Sequence, residues 1–204
     1  RLVGVAGYEG AVAHDAEAGS LAAVDEFLRQ LRALHDALEY ETDTPMATAG
    51  GSQYFDQVAD VLGPLSARGV EVVLRAGSYV AHDDDLYARM TPVARGRGGP
   101  ALRPALRALA TVLSRPEPDL AILDAGRRDL PFDCGLPIPL DLPGAAVVEL
   151  NDHHALVRGA VSGVEVGSTV RLGVSHPCTA FDKWSLIPVV DDEEAVVDAV
   201  RTFF

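Results

Sequence analysis

The sequence predicts an α/β region over residues 1–100, followed by a mostly antiparallel β region over residues 101–204. In the first region, short apolar segments alternate with segments of helical periodicity, in the order β-α-β-α-β. In the second region, clusters of Gly and Pro separate short β-like segments. Parallel strands with right-handed helical crossovers are the expected structure of the first pattern. Three strands cannot close a (β/α) barrel, which needs about eight.

The composition is that of a folded, acidic protein. Apolar residues make up 48% of the 204 residues, which is enough for a sizeable core. Seventeen Lys and Arg against 30 Asp and Glu give a net charge of −13, which argues against nucleic acid and anionic membranes as partners. The two cysteines provide no disulfide framework, and the sequence contains neither a secretory leader nor an apolar segment of membrane-spanning length. A cytoplasmic location is therefore expected.

Local residue patterns predict each helix and strand of the first region. The predicted elements are strands at 2–6, 45–49 and 70–75, helices at 21–38 and 52–62, and a helical turn at 64–68. Ser20 and Ser52 are the expected N-caps of the two helices. The apolar face of the longer helix contains Leu21, Val24, Phe27, Leu28, Leu31, Leu34 and Leu38. His35, on the same helix, is expected to be solvated.

The second region begins after an expected exposed loop at 91–100. Leucines at three- and four-residue steps (102, 106, 109 and 113) predict a helix at 102–113. The β-like segments are 119–124, 145–150, 154–158 and 169–174. An amphipathic helix is expected at 191–204, with Val196, Val197, Val200 and Phe203 on its apolar side.

Glycine-containing turns follow the three strands of the first region. Gly50-Gly51-Ser52 ends a strand and opens a helix, where amide N–H groups and the helix dipole favour an anion such as phosphate. Gly77-Ser78-Tyr79 follows the neighbouring strand and is expected beside it. The alternative is an ordinary strand-to-helix turn with a serine cap. The spacing matches neither a dinucleotide-binding motif nor a nucleotide P-loop.

His176-Pro177-Cys178 is a candidate metal-binding segment. In extended chain, residues i and i+2 point the same way, so an imidazole and a thiolate would converge on one point that suits Zn²⁺. Two ligands form an incomplete site, because catalytic zinc normally has three protein ligands. The alternative is a buried cysteine beside a hydrogen-bonded histidine.

Three further groups have a functional and a structural interpretation. His153-His154 could supply a third ligand or an acid/base, or lie on the surface. The acidic segment 82–85 could bind a divalent cation, although an exposed acidic loop is favoured. Lys183, the only lysine, could form a Schiff base, although an ion pair with Asp182 is favoured.

The sequence also resembles a known family. The segments that carry the resemblance are VSHPCTAFDKWSLIPVVDD (174–192), VVDAVRTFF (196–204), VGVAGYEG (3–10), AGGSQYFDQV (49–58), VVLRAGSYVAHD (72–83), ILDAGRRDLPFDCGLP (122–137) and VVELNDHHAL (147–156). They are similar to the D-serine dehydratase-like, or bacterial amino acid deaminase, family of pyridoxal-phosphate (PLP) enzymes, which also includes D-threonine aldolases. The resemblance covers essentially the whole chain.

The resemblance implies a fold and a set of site residues. The fold is a partial alanine-racemase-type (β/α) barrel, followed by a C-terminal, mostly antiparallel β domain. The implied zinc ligands are His176 and Cys178, and Tyr8 would lie near the cofactor ring. The aldolase branch has aspartate at the position of Cys178, which places this sequence on the dehydratase side. The residues implied to bind the PLP phosphate are Gly50, Gly51, Ser52, Gly77, Ser78 and Tyr79.

The activity implied by the resemblance is β-elimination from D-serine, or a similar D-3-hydroxy amino acid, to a keto acid and ammonia. PLP would serve as the electron sink and Zn²⁺ as a Lewis acid at the β-hydroxyl. The alternatives are retro-aldol cleavage of D-threonine-like substrates and a non-catalytic domain that binds a metabolite or a partner. Because the family's cofactor lysine would lie upstream of Arg1, we expect an inactive C-terminal portion of a longer enzyme, without catalytic residues of its own. Its expected partners are the missing barrel half and a second copy in a homodimer.

Overall fold

The computed structural model describes all residues from 1 to 204, and the chain forms two compact units. The first unit contains Arg1–Val80 and Tyr87–Leu102, and the second contains Ala81–Leu86 and Arg103–Phe204. The short segment 81–86 therefore belongs to the second unit, although a division after residue 100 would place it in the first. No helix in the chain combines the length and the apolar character needed to cross a bilayer.

The first unit contains a three-stranded parallel sheet with helical crossovers. Its elements are β1 (Gly4–Ala6), α1 (Ala18–Ala37), β2 (Met46–Ala49), α2 (Phe55–Leu62), β3 (Glu71–Leu74) and α3 (Leu86–Met90). The strand order is β1-β2-β3, with both pairs parallel. A 3-10 helix at Gly63–Arg68 occupies the place of the predicted helical turn. The β-α-β-α-β order read from the sequence is thus confirmed.

Helix α1 differs from its prediction at its start, at His35, and at Leu34, which is expected on the apolar face but is 51% exposed. It begins at Ala18, so Ser20 lies inside the helix and the N-cap position is Glu17, which makes no capping hydrogen bond. His35 is 4% exposed, and Tyr40 Oη lies 2.8 Å from His35 Nδ1, so the expectation of a solvated histidine is wrong. The physical reason is that His35 lies four residues after Leu31 and therefore shares the inward face of the helix.

The second unit is built on a six-stranded antiparallel sheet. Its strands are β4 (Arg107–Glu117), β5 (Leu120–Leu123), β6 (Ile138–Pro139), β7 (Ala145–Leu150), β8 (Ala155–Gly159) and β9 (Thr169–Gly173), in the order β6-β9-β4-β5-β8-β7. The edge strands β6 and β7 also contact each other, so the sheet curls almost into a closed barrel. Its core includes Val112, Leu123, Val157 and Leu172, all 1% exposed or less.

The helix predicted at 102–113 is wrong, because this segment contributes to β4. Along β4, Ala110 and Val112 are buried, whereas Leu109 and Leu113 are 67% and 45% exposed. Burial therefore alternates with the period of a strand rather than of a helix. Pairing of β4 with both β5 and β9 satisfies its backbone and outweighs the helical spacing of the leucines.

The helix predicted at 191–204 is also wrong. The chain forms an antiparallel hairpin of β10 (Leu186–Val190) and β11 (Val196–Arg201). In the turn, Asp191 Oδ1 accepts the N–H groups of Glu193 and Ala195 at 3.1 and 2.9 Å, while Glu194 adopts a positive φ of 63°. The valines of β11 are β-branched, which favours extended chain over helix.

Candidate phosphate and metal sites

The first candidate site is the pair of turns that follow β2 and β3, here called the glycine corner (Gly50-Gly51-Ser52 and Gly77-Ser78-Tyr79). Because β2 and β3 are parallel neighbours, their carboxyl ends and the turns that follow lie side by side. The Ser78 N–H donates to Ser52 Oγ at 3.1 Å, which links the two turns directly. The structure therefore brings together the two turns that the sequence selected.

A buried carboxylate that the sequence analysis missed lies at this corner. Glu9 is 0% exposed and accepts the N–H groups of Gly50 and Gly51, at 3.0 Å from Oε2 and 2.5 Å from Oε1. These are the amides that the sequence offers to a phosphate. The turn is therefore an anion-binding turn, and the anion it binds in this structure is a side chain of the same chain.

Tyr8 lies at the same corner. Its ring packs so closely on the turn that a Cβ added to Gly51 would come within 2.9 Å of Tyr8 Cε2. The Tyr8 side chain is nevertheless 57% exposed, so one face is open to a ligand. A side chain at position 51 would therefore require the Tyr8 ring to move.

Ser52 and Tyr79 have roles that differ from simple turn residues. Helix α2 begins at Phe55 without a side-chain cap, so Ser52 is not its N-cap as predicted. Tyr79 packs edge-on against Phe55, with ring centroids 4.9 Å apart. Burial, assisted by the negative charges of Asp56 and Glu9, raises the pKa of Tyr79 to about 12, which keeps its hydroxyl protonated at neutral pH.

The second candidate site lies in the second unit and is here called the histidine cluster (Asp133, Cys134, His176 and Cys178). Asp133 and Cys134 lie in the loop between β5 and β6, and His176 and Cys178 lie in the segment after β9. The two loops are joined by Ser175, which is 0% exposed and donates from Oγ to the Gly135 carbonyl at 2.5 Å. A carboxylate oxygen of Asp133, Cys134 Sγ and a ring nitrogen of His176 all lie within 4.8 Å of one another.

His176 is at the centre of the histidine cluster. Its Nδ1 lies 2.6 Å from Asp133 Oδ2, and its ring also hydrogen-bonds the Cys178 side chain. The hydrogen bond with Cys178, together with that with Asp133, raises the pKa of His176 to about 9, although burial acts in the opposite direction. His176 and Cys178, which the sequence predicts as a pair, are therefore in contact.

Asp133 is held by two hydrogen bonds. Its Oδ2 contacts His176, and its Oδ1 accepts the Thr179 hydroxyl at 2.9 Å. Burial alone would raise the pKa of Asp133, but the hydrogen bonds from His176 and Thr179 outweigh it and leave the pKa below its usual value. No local pattern in the sequence singles out Asp133 or Cys134, which lie more than 40 residues before His176.

The other candidates from the sequence lie elsewhere or differ from expectation. The 82–85 segment is not the exposed acidic loop favoured by its composition, because His82 and Asp83 are 4% and 1% exposed. His153 and His154 are exposed. Lys183 Nζ donates to the Arg127 carbonyl at 3.0 Å, so the favoured ion pair with Asp182 is not formed.

The residues at both sites fit the groups that the sequence implies. An imidazole and two thiols suit Zn²⁺ better than a hard cation such as Mg²⁺. At the glycine corner, a cluster of amides already holds a carboxylate, and Ser52 provides a hydroxyl at its edge. The histidine cluster therefore has the donor chemistry that zinc requires, whereas Glu9 already occupies the Gly50 and Gly51 amides, so a phosphate would have to bind at the edge of the glycine corner, beside Ser52.

Comparison with known proteins places this chain in a family. A family model described as "Putative serine dehydratase domain" matches residues 105–190. D-threonine aldolase of Arthrobacter sp. is 32% identical over 197 residues, which cover 94% of this chain and 48% of that protein. The chain thus spans about half the length of this curated relative.

Solved structures share the fold. D-threonine aldolase from Filomicrobium marinum has a TM-score of 0.74 at 24% identity, over 98% of this chain and 52% of that chain. An alanine racemase-like protein from Idiomarina loihiensis has a TM-score of 0.69 at 16% identity. A metal-free form of D-threo-3-hydroxyaspartate dehydratase, in which one cysteine is replaced by alanine, has a TM-score of 0.65 at 21% identity, over 97% of this chain and 55% of that chain.

These likenesses define the fold class first, which is that of the alanine racemase-like proteins. Within this class, residues 105–190 belong to the serine dehydratase domain family, and nearly the whole chain is related to D-threonine aldolase. The predicted fold class, a partial alanine-racemase-type α/β barrel followed by an antiparallel β domain, is confirmed.

Proposed function

We propose that this chain supplies the phosphate-binding and metal-binding parts of a PLP- and zinc-dependent D-amino acid lyase. The reaction would be β-elimination from D-serine or a similar D-3-hydroxy amino acid, which gives a keto acid and ammonia. The observation that carries the proposal is the His176 ring held between Asp133 and Cys178, in a chain of this lyase family.

Cys178 is the residue that favours elimination over aldol cleavage. The family resemblance places cysteine at this position in the dehydratases and aspartate in the aldolases. A related dehydratase structure in a metal-free form carries a cysteine-to-alanine replacement, which supports a cysteine ligand in that enzyme. Retro-aldol cleavage of a D-threonine-like substrate remains the second candidate, because D-threonine aldolase of Arthrobacter sp. is 32% identical to this chain.

The metal part of the proposal assigns His176 and Cys178 as ligands. Asp133 lies against His176 Nδ1, so a metal would bind at Nε2 in place of its present partner, in the carboxylate–histidine–metal arrangement common in proteins. A carboxylate in this place fixes the ring orientation and increases the basicity of the ligating nitrogen. Bound zinc would supply Lewis acidity at the substrate hydroxyl.

The cofactor part of the proposal assigns the PLP phosphate to the glycine corner. Gly50 and Gly51 shape the corner and hold Glu9, while Ser52, Ser78 and the turn at Gly77–Tyr79 would bind the phosphate. The exposed face of Tyr8 would lie against the cofactor ring. Bound PLP supplies the electron sink for chemistry at the substrate Cα.

We also propose which further elements a longer protein would contain. The three-stranded parallel sheet leaves β1 and β3 as edges, and unpaired edges invite further strands. We expect the other barrel strands and the cofactor lysine in a longer protein, because the chain covers 48% of a curated relative. We also propose that the protein forms a homodimer and is located in the cytoplasm.

The test uses the full-length protein with D-serine, D-threonine and D-3-hydroxyaspartate as substrates. We expect ammonia and a keto acid as products, since Cys178 is present; glycine as the main product would favour the aldolase. Cys178→Ala should abolish zinc retention and turnover together. His154→Ala, at an exposed position outside the histidine cluster, is the matched control and should retain both. Unchanged elimination by the Cys178 variant would overturn the zinc assignment.

A further inference from the structure

We propose that Cys134 is a third protein ligand of the metal, so that the histidine cluster is a His/Cys/Cys site with one open position. The inference rests on the proposed function, since it concerns the same metal site. Cys134 would join His176 and Cys178, and the site would then have the three protein ligands that catalytic zinc normally has.

The first step is the geometry of Cys134. Its Sγ lies within 4.8 Å of both a ring nitrogen of His176 and a carboxylate oxygen of Asp133. Cys178 contacts the same His176 ring, so both sulfurs lie near one imidazole. Two loops from different parts of the sequence thus bring the only two cysteines of the chain to the same histidine.

The second step distinguishes the role of Cys134 from that of Asp133. Both oxygens of Asp133 are engaged, one with His176 Nδ1 at 2.6 Å and the other with the Thr179 hydroxyl at 2.9 Å. Asp133 therefore acts as the group that orients the imidazole. Cys134 makes only a long contact with it, 3.8 Å from Sγ to Oδ2, and the Cys134 side chain is exposed. Cys134 is accordingly the better third ligand.

The third step is the coordination chemistry. Zinc binds sulfur at about 2.3 Å and imidazole nitrogen at about 2.0–2.1 Å, so donors around one tetrahedral ion lie roughly 3.5 Å apart. Metal binding would therefore draw the Cys134 sulfur closer to the His176 ring than the 4.8 Å limit within which it lies here. One imidazole and two thiolates, with the fourth position left open, form one of the known ligand sets of catalytic zinc.

A two-thiolate site also has a consequence for metal selectivity. Thiolates prefer zinc and other soft or borderline metals, whereas carboxylate and water ligands suit Mg²⁺ and Mn²⁺. We therefore expect this protein to retain zinc in the presence of excess Mn²⁺.

The experiment is titration of the purified 204-residue protein with Co²⁺, used as a spectroscopic replacement for zinc. Because the chain has two cysteines, thiolate-to-cobalt absorption counts how many of them bind. We expect one equivalent to bind with two-thiolate absorption, and Cys134→Ser and Cys178→Ser each to lose about half of this absorption. His154→Ala is the control and should match the unaltered protein.

The outcomes separate this inference from the proposed function. Full absorption in Cys134→Ser, together with its complete loss in Cys178→Ser, would overturn the role of Cys134 and leave the His176/Cys178 pair intact. No thiolate absorption in the unaltered protein would overturn both.

A second measurement avoids variants that do not fold. The unaltered protein is treated with iodoacetamide, with and without zinc, and each cysteine is quantified by mass spectrometry. We expect zinc to protect both Cys134 and Cys178. Protection of Cys178 alone would overturn the inference.

Discussion

The glycine corner and the histidine cluster meet their charge requirements in opposite ways. At the glycine corner, backbone amides of Gly50 and Gly51 surround the buried carboxylate of Glu9, so charge and donors are matched within the chain. The histidine cluster combines a carboxylate and two thiols around one imidazole, and these groups match only if a proton or a cation is present. The charge of the first site is therefore balanced within the chain, whereas we propose that the second takes a positively charged ligand.

The largest expected effect is at the histidine cluster. His176→Ala removes the group that contacts both Asp133 and Cys178, so we expect zinc affinity to fall by at least about 100-fold. Zinc content after dialysis, measured by mass spectrometry, checks this outcome. His153→Ala, at an exposed position, should retain zinc. Equal zinc content in the two variants would show that the histidine cluster does not depend on His176 for zinc binding.

At the glycine corner, the main effect should be on stability. Glu9→Ala leaves two backbone N–H groups without their acceptor, and we expect the free energy of unfolding to fall by about 3 kcal/mol. Denaturant titration followed by circular dichroism measures the change. Glu39→Ala, an exposed carboxylate on the same unit, should change it by less than about 0.5 kcal/mol. Similar stability of the two variants would show that Glu9 does not hold the corner together.

Asp133→Asn tests whether the carboxylate orients the metal-binding imidazole. The amide oxygen can still accept from His176 Nδ1, but the negative charge is lost, so we expect zinc affinity to fall about 10–100-fold while the fold is retained. Competition with a chromophoric chelator measures the affinity. Asp152→Asn, at an exposed ion pair, is the control. An unchanged zinc affinity would remove Asp133 from the proposed site.

The smallest effect concerns a surface ion pair that belongs to neither site. Hydrogen bonds from the Arg171 side chain and backbone lower the pKa of Asp141 below its usual value. A carboxyl with a lowered pKa stabilises the folded state above its unfolded pKa of 3.8 and loses this contribution as the pH falls below it.

Asp141→Asn should therefore lower the free energy of unfolding at pH 7 by about 0.5–1 kcal/mol, because the pair is partly exposed. The difference from the unaltered protein should shrink in a second titration at a pH well below 3.8, where protonation of the carboxyl removes the contribution. Urea titrations at the two pH values measure this, and a difference that persists at low pH would contradict the assignment.

The order of strands and helices in the first unit could be predicted from local features of the sequence. Alternating apolar segments and glycine turns gave the strands, the crossovers and the adjacent turns at Gly50 and Gly77, because parallel strands place their carboxyl ends together. The His176–Cys178 spacing likewise indicated a pair of ligands, since these residues lie within one short segment.

Strand pairing and contacts between residues distant in sequence could be seen only in the folded structure. Segments 102–113 and 191–204 have helical spacing of apolar residues, yet strand pairing makes them extended. Glu9 meets Gly51 from 42 residues away, and Asp133 meets His176 from 43 residues away. Local periodicity carries no information about which distant groups will meet, because those contacts depend on how strands pair and how loops cross the surface.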